Sequence, residues 1–163
     1  VMIRASLDAS GDSPRLAEVA SFIAIGAGAA GCVAAGLLAD RIGRTVVASG
    51  AMAISGACCL VTGLFFGGPP LALLVIAAIW GASVVADSAQ FSACVTELGD
   101  PRYMGTALTM QTCIGFLITT ISIAIMPRAV DLLGWQWAFT VLAVGPALGI
   151  VAMVRLRAVM QAS

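Results

Sequence analysis

The chain has no histidine, and all eight of its basic residues are arginine, so lysine is missing as well. Without histidine there is no imidazole metal ligand, no histidine-based triad and no histidine proton shuttle. Charge of either sign is scarce. Charged residues make up 10% of 163 positions, where a soluble domain carries about 25%. Eight acidic residues balance the eight arginines, so no basic surface points to nucleic acid. The five cysteines (Cys32, Cys58, Cys59, Cys94, Cys113) form no C-x-x-C pair and read as small apolar residues within helices. No P-loop, metal-ligand cluster or nucleophile constellation is present. ATP-driven transport and catalysis therefore have no support, and no cofactor is expected.

What the chain does have is apolar length. Hydrophobic residues make up 61% of it, gathered in runs long enough to cross a hydrocarbon core of about 30 Å at about 1.5 Å per helical residue. The expected architecture is all-α, a polytopic membrane helix bundle with five helices over about 18–38, 45–66, 71–97, 103–126 and 136–154. Residues 1–17 are mixed and polar, with Arg4, Asp8, Asp12, Arg15 and a Ser-Gly-Asp-Ser-Pro cluster at 10–14, and read as an extracytoplasmic loop. They lack the basic segment and apolar core of a signal peptide, and Met2 behind Val1 suggests that the true start lies upstream.

The stretch Gly36-Leu-Leu-Ala-Asp-Arg-Ile-Gly-Arg44 organises the sequence. Three charges and two glycines fall within nine residues between two apolar runs, so the stretch reads as a very short loop joining two membrane helices. With five helices, Arg41, Arg44, Arg102, Arg155 and Arg157 share one side and Arg4, Arg15 and Arg128 the other. That excess places the Arg44 loop and the C-terminus in the cytoplasm.

This stretch resembles the signature loop of the major facilitator superfamily, which links the second and third helices of each six-helix half. All nine positions fit, although the family often continues with another basic residue where this chain has Thr45. The resemblance implies a secondary transporter in a bacterial-type plasma membrane. It would move a small solute by alternating access, coupled to protons in symport or antiport. It also implies that Gly36, Asp40, Arg41, Gly43 and Arg44 form a latch on the cytoplasmic side, the rival reading being a bare topology signal. Gly36 would permit close helix approach and Gly43 a tight turn, while Asp40 would accept hydrogen bonds from Arg44 or from a helix N-terminus. Glu97 and Arg102 could join this network, though a solvated loop is the plainer reading.

Five helices cannot complete a facilitator half. The resemblance aligns them with helices eight to twelve, in the C-terminal half. The N-terminal half of the same polypeptide, the bilayer and a small-molecule solute would be the partners. The alternative is a non-transporting sensor or structural remnant of the same fold.

Asp87 is the sharpest candidate within the membrane. It lies about 15 Å from the end of its helix, where an aspartate costs about 2.5–3.5 kcal/mol on insertion scales. It reads equally as a substrate or proton site and as an interhelical brace. Gln90, one turn on, and Gln111, at similar depth on the next helix, could bind solute together, but more simply glue the two helices. Gly26, Gly28, Gly31, Ala35 and Gly36 make the first helix small-faced, which suits tight packing and, less simply, a sliding surface. Trp135 and Trp137 suit an interfacial belt. Gly145-Pro146 is expected to kink the last helix.

Overall fold

The computed structural model describes Ser6 and residues 14–162. The polar residues 1–5 and 7–13, with Arg4, Asp8, Asp12 and most of the 10–14 cluster, lie outside the described residues. Among those described there is no strand. The helices are α1 (Pro14–Ile42), α2 (Arg44–Thr62), α3 (Pro70–Leu98), α4 (Met104–Ala138) and α5 (Val144–Ala162), with 3-10 turns at Gly63–Phe65, Pro101–Tyr103 and Phe139–Ala143.

Four apolar helical stretches are long enough to span a bilayer: Glu18–Ile42, Arg44–Phe65, Pro70–Leu98 and Pro101–Gln161. The expectation of a membrane-compatible helical protein is met at this level. The last stretch has 61 residues, or about 90 Å of helix, and it breaks at Gly134, where φ is 73° and ψ is 167°. Glycine tolerates this left-handed region because it has no Cβ.

The expected loop at 127–135 is mostly helix. Pro127 sits inside α4, so the turn falls at Gly134 instead. A proline removes one backbone donor, but a membrane-type helix tolerates that loss where local adjustment covers it. Pro146 does not kink a continuous helix either. It occupies the first turn of α5, just after the Phe139–Ala143 3-10 turn. There its missing N–H belongs among the amides that a helix leaves unpaired anyway.

The helices alternate in direction. Arg44 at the start of α2 meets Glu97 at the end of α3, and Ser55 meets Trp80 further along, so these two run antiparallel. Gly63, just past α2, lies against Gln136, and within α2 Gly56 lies against Pro146 and Met52 against Gly149, so the last segment runs antiparallel to α2 as well. Ala48, Met52 and Met153 form one buried cluster, with Phe91 packed on it. Ala35, Ala39, Val47, Ala51 and Ala86 form another, where α1, α2 and α3 converge.

α1 and α3 approach closely over several turns. A Cβ added at Gly28 would lie 2.7 Å from a Val85 methyl, and one at Gly31 would lie 2.8 Å from the Cα of Ala82; one at Gly81 would run into the backbone of Ala24. Small residues allow two backbones to come this near and gain dispersion contacts over a wide area. The tight-packing reading therefore fits Gly28 and Gly31. Gly26 and Gly36 have no neighbour within 4 Å of such a Cβ, so the small residues of α1 do not act as one surface.

Much of the apolar surface faces outward. Phe22 is 78% exposed, Ile25 76%, Phe116 70% and Leu132 83%. Such an extent of uncovered apolar surface is compatible with embedding in a membrane. The hydroxyls agree. Ser49, Thr62, Ser83, Ser88, Thr96, Thr109, Thr112, Thr119, Thr120 and Ser122 each donate to a carbonyl four residues earlier. These hydroxyls on α2, α3 and α4 thereby find acceptors within their own helix, an arrangement suited to hydrocarbon surroundings.

Candidate functional site

The signature stretch is more helical than a loop. α1 continues through it to Ile42 and α2 begins at Arg44, so only Gly43 stands outside a helix. Its φ of 94° and ψ of 143° lie where a side chain would be strained, and its N–H still closes on the Ala39 carbonyl at 2.9 Å. The expected role of Gly43 fits this geometry. That of Gly36 does not, since no atom approaches it closely. α1 and α3 come closest around Gly28 and Gly31, two turns earlier.

Arg44 is the hub. Its Nε donates to Glu97 Oε1, and its Nη2 lies 3.6 Å from Asp40 Oδ1. One guanidinium thus ties the end of α1, the start of α2 and the last turn of α3. Glu97 is therefore a member of the network rather than a solvated bystander. Arg102 is not a member: it pairs with Asp100, Nη2 to Oδ2 at 2.7 Å, and Asp100 also accepts the Arg102 N–H at 3.0 Å. Those bonds hold the Asp100 carboxyl below its ordinary pKa. Arg41 is exposed, and the described ion pairs do not include it. Arg128 and Asp131 are also exposed and make no ion pair with each other.

Beside Arg44 lies a cavity of about 390 Å³, lined by Asp40, Thr45, Cys94, Glu97 and Met160 among others. Its walls come from α1, α2, α3 and the last turn of α5. The charged lining comprises one arginine and two carboxylates, so the site carries excess negative charge.

A polar stripe on α3 leads away from this cavity. Ser83, Asp87, Gln90, Cys94 and Glu97 follow one another at spacings of four, three, four and three, which keeps them on one face of a helix. Ser83, Gln90 and Cys94 are buried. Asp87 is half-buried and accepts from the Ser88 hydroxyl at 3.1 Å. Since Ser88 is its own neighbour in sequence, this bond braces no other helix. Trp80, on the same side, donates to Ser55 at 3.2 Å and meets the Phe139 ring edge-on at 5.6 Å between centroids.

The two glutamines do not meet. Gln111 donates to Ser92 at 3.1 Å, so it does join α4 to α3, but on a different side from Gln90. Both Gln90 Oε1 and Gln111 Oε1 are buried acceptors without a donor among the described residues. Gln90 itself is only 2% exposed. An unmet buried acceptor costs about 1–3 kcal/mol, which makes Gln90 Oε1 a place where a donor would be stabilising. The regular spacing from Ser83 to Glu97 is the signal in the sequence that reveals this stripe.

The chain matches no known family model, no curated protein and no solved structure.

Proposed function

We propose that this chain is part of a secondary transporter of the major facilitator type, moving a small solute by alternating access rather than catalysing a reaction. The observation that carries the reading is the Arg44 hub. A guanidinium held by carboxylates from two other helix ends, on a loop of one residue, is a contact that can break and re-form as helices move. Partial exposure of all three side chains suits a switch better than a permanent clamp.

The reading gives five crossings. The run from Met104 to Leu133 is about 45 Å long, ample for one tilted crossing, and the segment after Gly134 supplies the next by running back along α2. The Arg44 loop, the 98–103 turn and the end of α5 then share the cytoplasmic face of a plasma membrane, in keeping with the arginine excess. Lipid covers the outer faces of α1 and α4 in part. The other half of a two-half transporter covers the rest. Asp87 serves as the proton site, supported by its mid-helix depth and its lack of an interhelical partner.

The test is uptake by membrane vesicles holding the full-length protein, with an imposed pH gradient and a panel of drugs, sugars and small organic acids. Asp87→Asn is expected to abolish gradient-driven accumulation while leaving the amount of inserted protein intact. Accumulation with unchanged size and pH dependence would remove Asp87 from the mechanism. Failure of every solute with the unaltered protein would favour a sensor or structural role.

A further inference from the structure

The stripe on α3 joins two features that are otherwise unconnected: the charged cavity at Arg44 and the half-buried Asp87, about 15 Å apart along the helix axis. Cys94 belongs to both, as a lining residue of the cavity and a buried member of the stripe. One turn deeper lies Gln90, with its orphaned acceptor. One turn deeper again is Asp87. A cavity of about 390 Å³ holds several waters at about 30 Å³ each, and the stripe begins at its wall with Glu97 and Cys94.

We propose that the Glu97–Cys94–Gln90–Asp87 seam is a hydrated proton path, along which water from the Arg44 cavity reaches Asp87. The inference rests on the reading of Asp87 as a protonation site and adds the route by which the proton arrives. A hydronium entering the cavity passes its proton inward through water. The Asp87 carboxylate becomes the neutral acid, one O–H bond forms, and the water that delivered the proton is released. The acceptor assigned to the new hydrogen is Gln90 Oε1, three positions on along the same face of α3 and without a donor among the described residues. Return of the proton breaks that bond and restores the carboxylate. Excess negative charge among the cavity-lining groups favours entry of a cation.

Nothing else in the middle of the bundle competes for the proton among the described residues. On α1 the charged groups are Arg15 and Glu18 at one end and Asp40 and Arg41 at the other. On α2 the only one is Arg44, with the thiols Cys58 and Cys59. α4 offers Cys113 along its apolar stretch, and Arg128 and Asp131 lie beyond Pro127. Arg155 and Arg157 of α5 lie near the cavity end. Cys32 completes the set on α1.

The path is tested by thiol labelling, which does not depend on transport. In full-length protein with Cys32, Cys58, Cys59 and Cys113 replaced by serine or alanine, Cys94 is probed by a charged, membrane-impermeant methanethiosulfonate added from the loop side. The same probe is applied to C94A carrying Gln90→Cys or, as a control off the stripe, Ala89→Cys. Cys94 and Gln90→Cys are expected to react at least about tenfold faster than the control, since reaction needs a hydrated thiolate. Equal rates at positions 90 and 89, or none at 90, would overturn the path.

Should the cysteine-depleted protein fail to fold, infrared spectra of the unaltered protein decide the matter. The carboxyl band lost in Asp87→Asn should shift promptly in D₂O, and more slowly in Gln90→Leu. An unaltered exchange rate in Gln90→Leu would reject the path while leaving Asp87 as a proton site. If no Asp87 carboxyl band appears between pH 4 and 9, both fail together.

Discussion

Arg44 donates its Nε hydrogen to Glu97, 53 positions later in the chain, and its Nη2 lies near Asp40 Oδ1. The first residue of α2 thereby fastens the ends of α1 and α3. Glu97→Gln keeps the shape but weakens the charge, so on the proposed transport reading it should alter the rate of conformational change more than the affinity for solute. Asp40→Ala should act in the same direction, and Arg44→Gln should mask both. Transport rates against solute concentration would check this. A pure loss of affinity, or strictly additive effects in the double variants, would count against a shared latch.

Gly43→Ala tests the turn. A side chain at φ 94° should cost about 1–2 kcal/mol, seen as a lower unfolding midpoint in detergent. A neutral result would mean that the turn relaxes to another conformation.

Gly31→Val and Gly36→Ala form a contrasting pair on one helix. The first drives methyls into the Ala82 backbone and should lower stability sharply or prevent insertion. The second enters open space and should be neutral, or slightly stabilising through better helix propensity. Equal damage from both would indicate that another surface closes on Gly36.

Asp100 gives a pH signature. Its carboxyl is held below the ordinary value by Arg102, so the folded state favours its charged form. That contribution is present at neutral pH, above the unfolded pKa, and is lost as pH falls through the lower folded value. The acid limb of a thermal-stability profile should therefore flatten in Asp100→Asn. An unchanged acid limb would show that the bond to Arg102 adds nothing to the folded state.

Composition alone determined the class of this molecule. Apolar runs of span length, scarce charge and a net charge of zero leave little but a membrane-compatible helical protein, because backbone groups in hydrocarbon must bond within their own helix. The short Gly43 turn was legible for the same local reason: glycine between two apolar runs. What sequence spacing could not reach was partnership between distant residues. It could not choose between Glu97 as a member of the Arg44 network and as a solvated charge, since nothing near position 97 fixes a guanidinium 53 residues away beside it. It grouped Gln111 with Gln90 by depth, but depth does not fix rotation about the helix axis, and packing turned Gln111 toward Ser92. It placed a turn near Pro127, where a proline ordinarily breaks a helix, yet the chain turns at Gly134. The tertiary structure decided which small residues touch, which charges meet and which buried acceptor is left without a donor, because those depend on how the helices are rotated and crossed rather than on what each is made of.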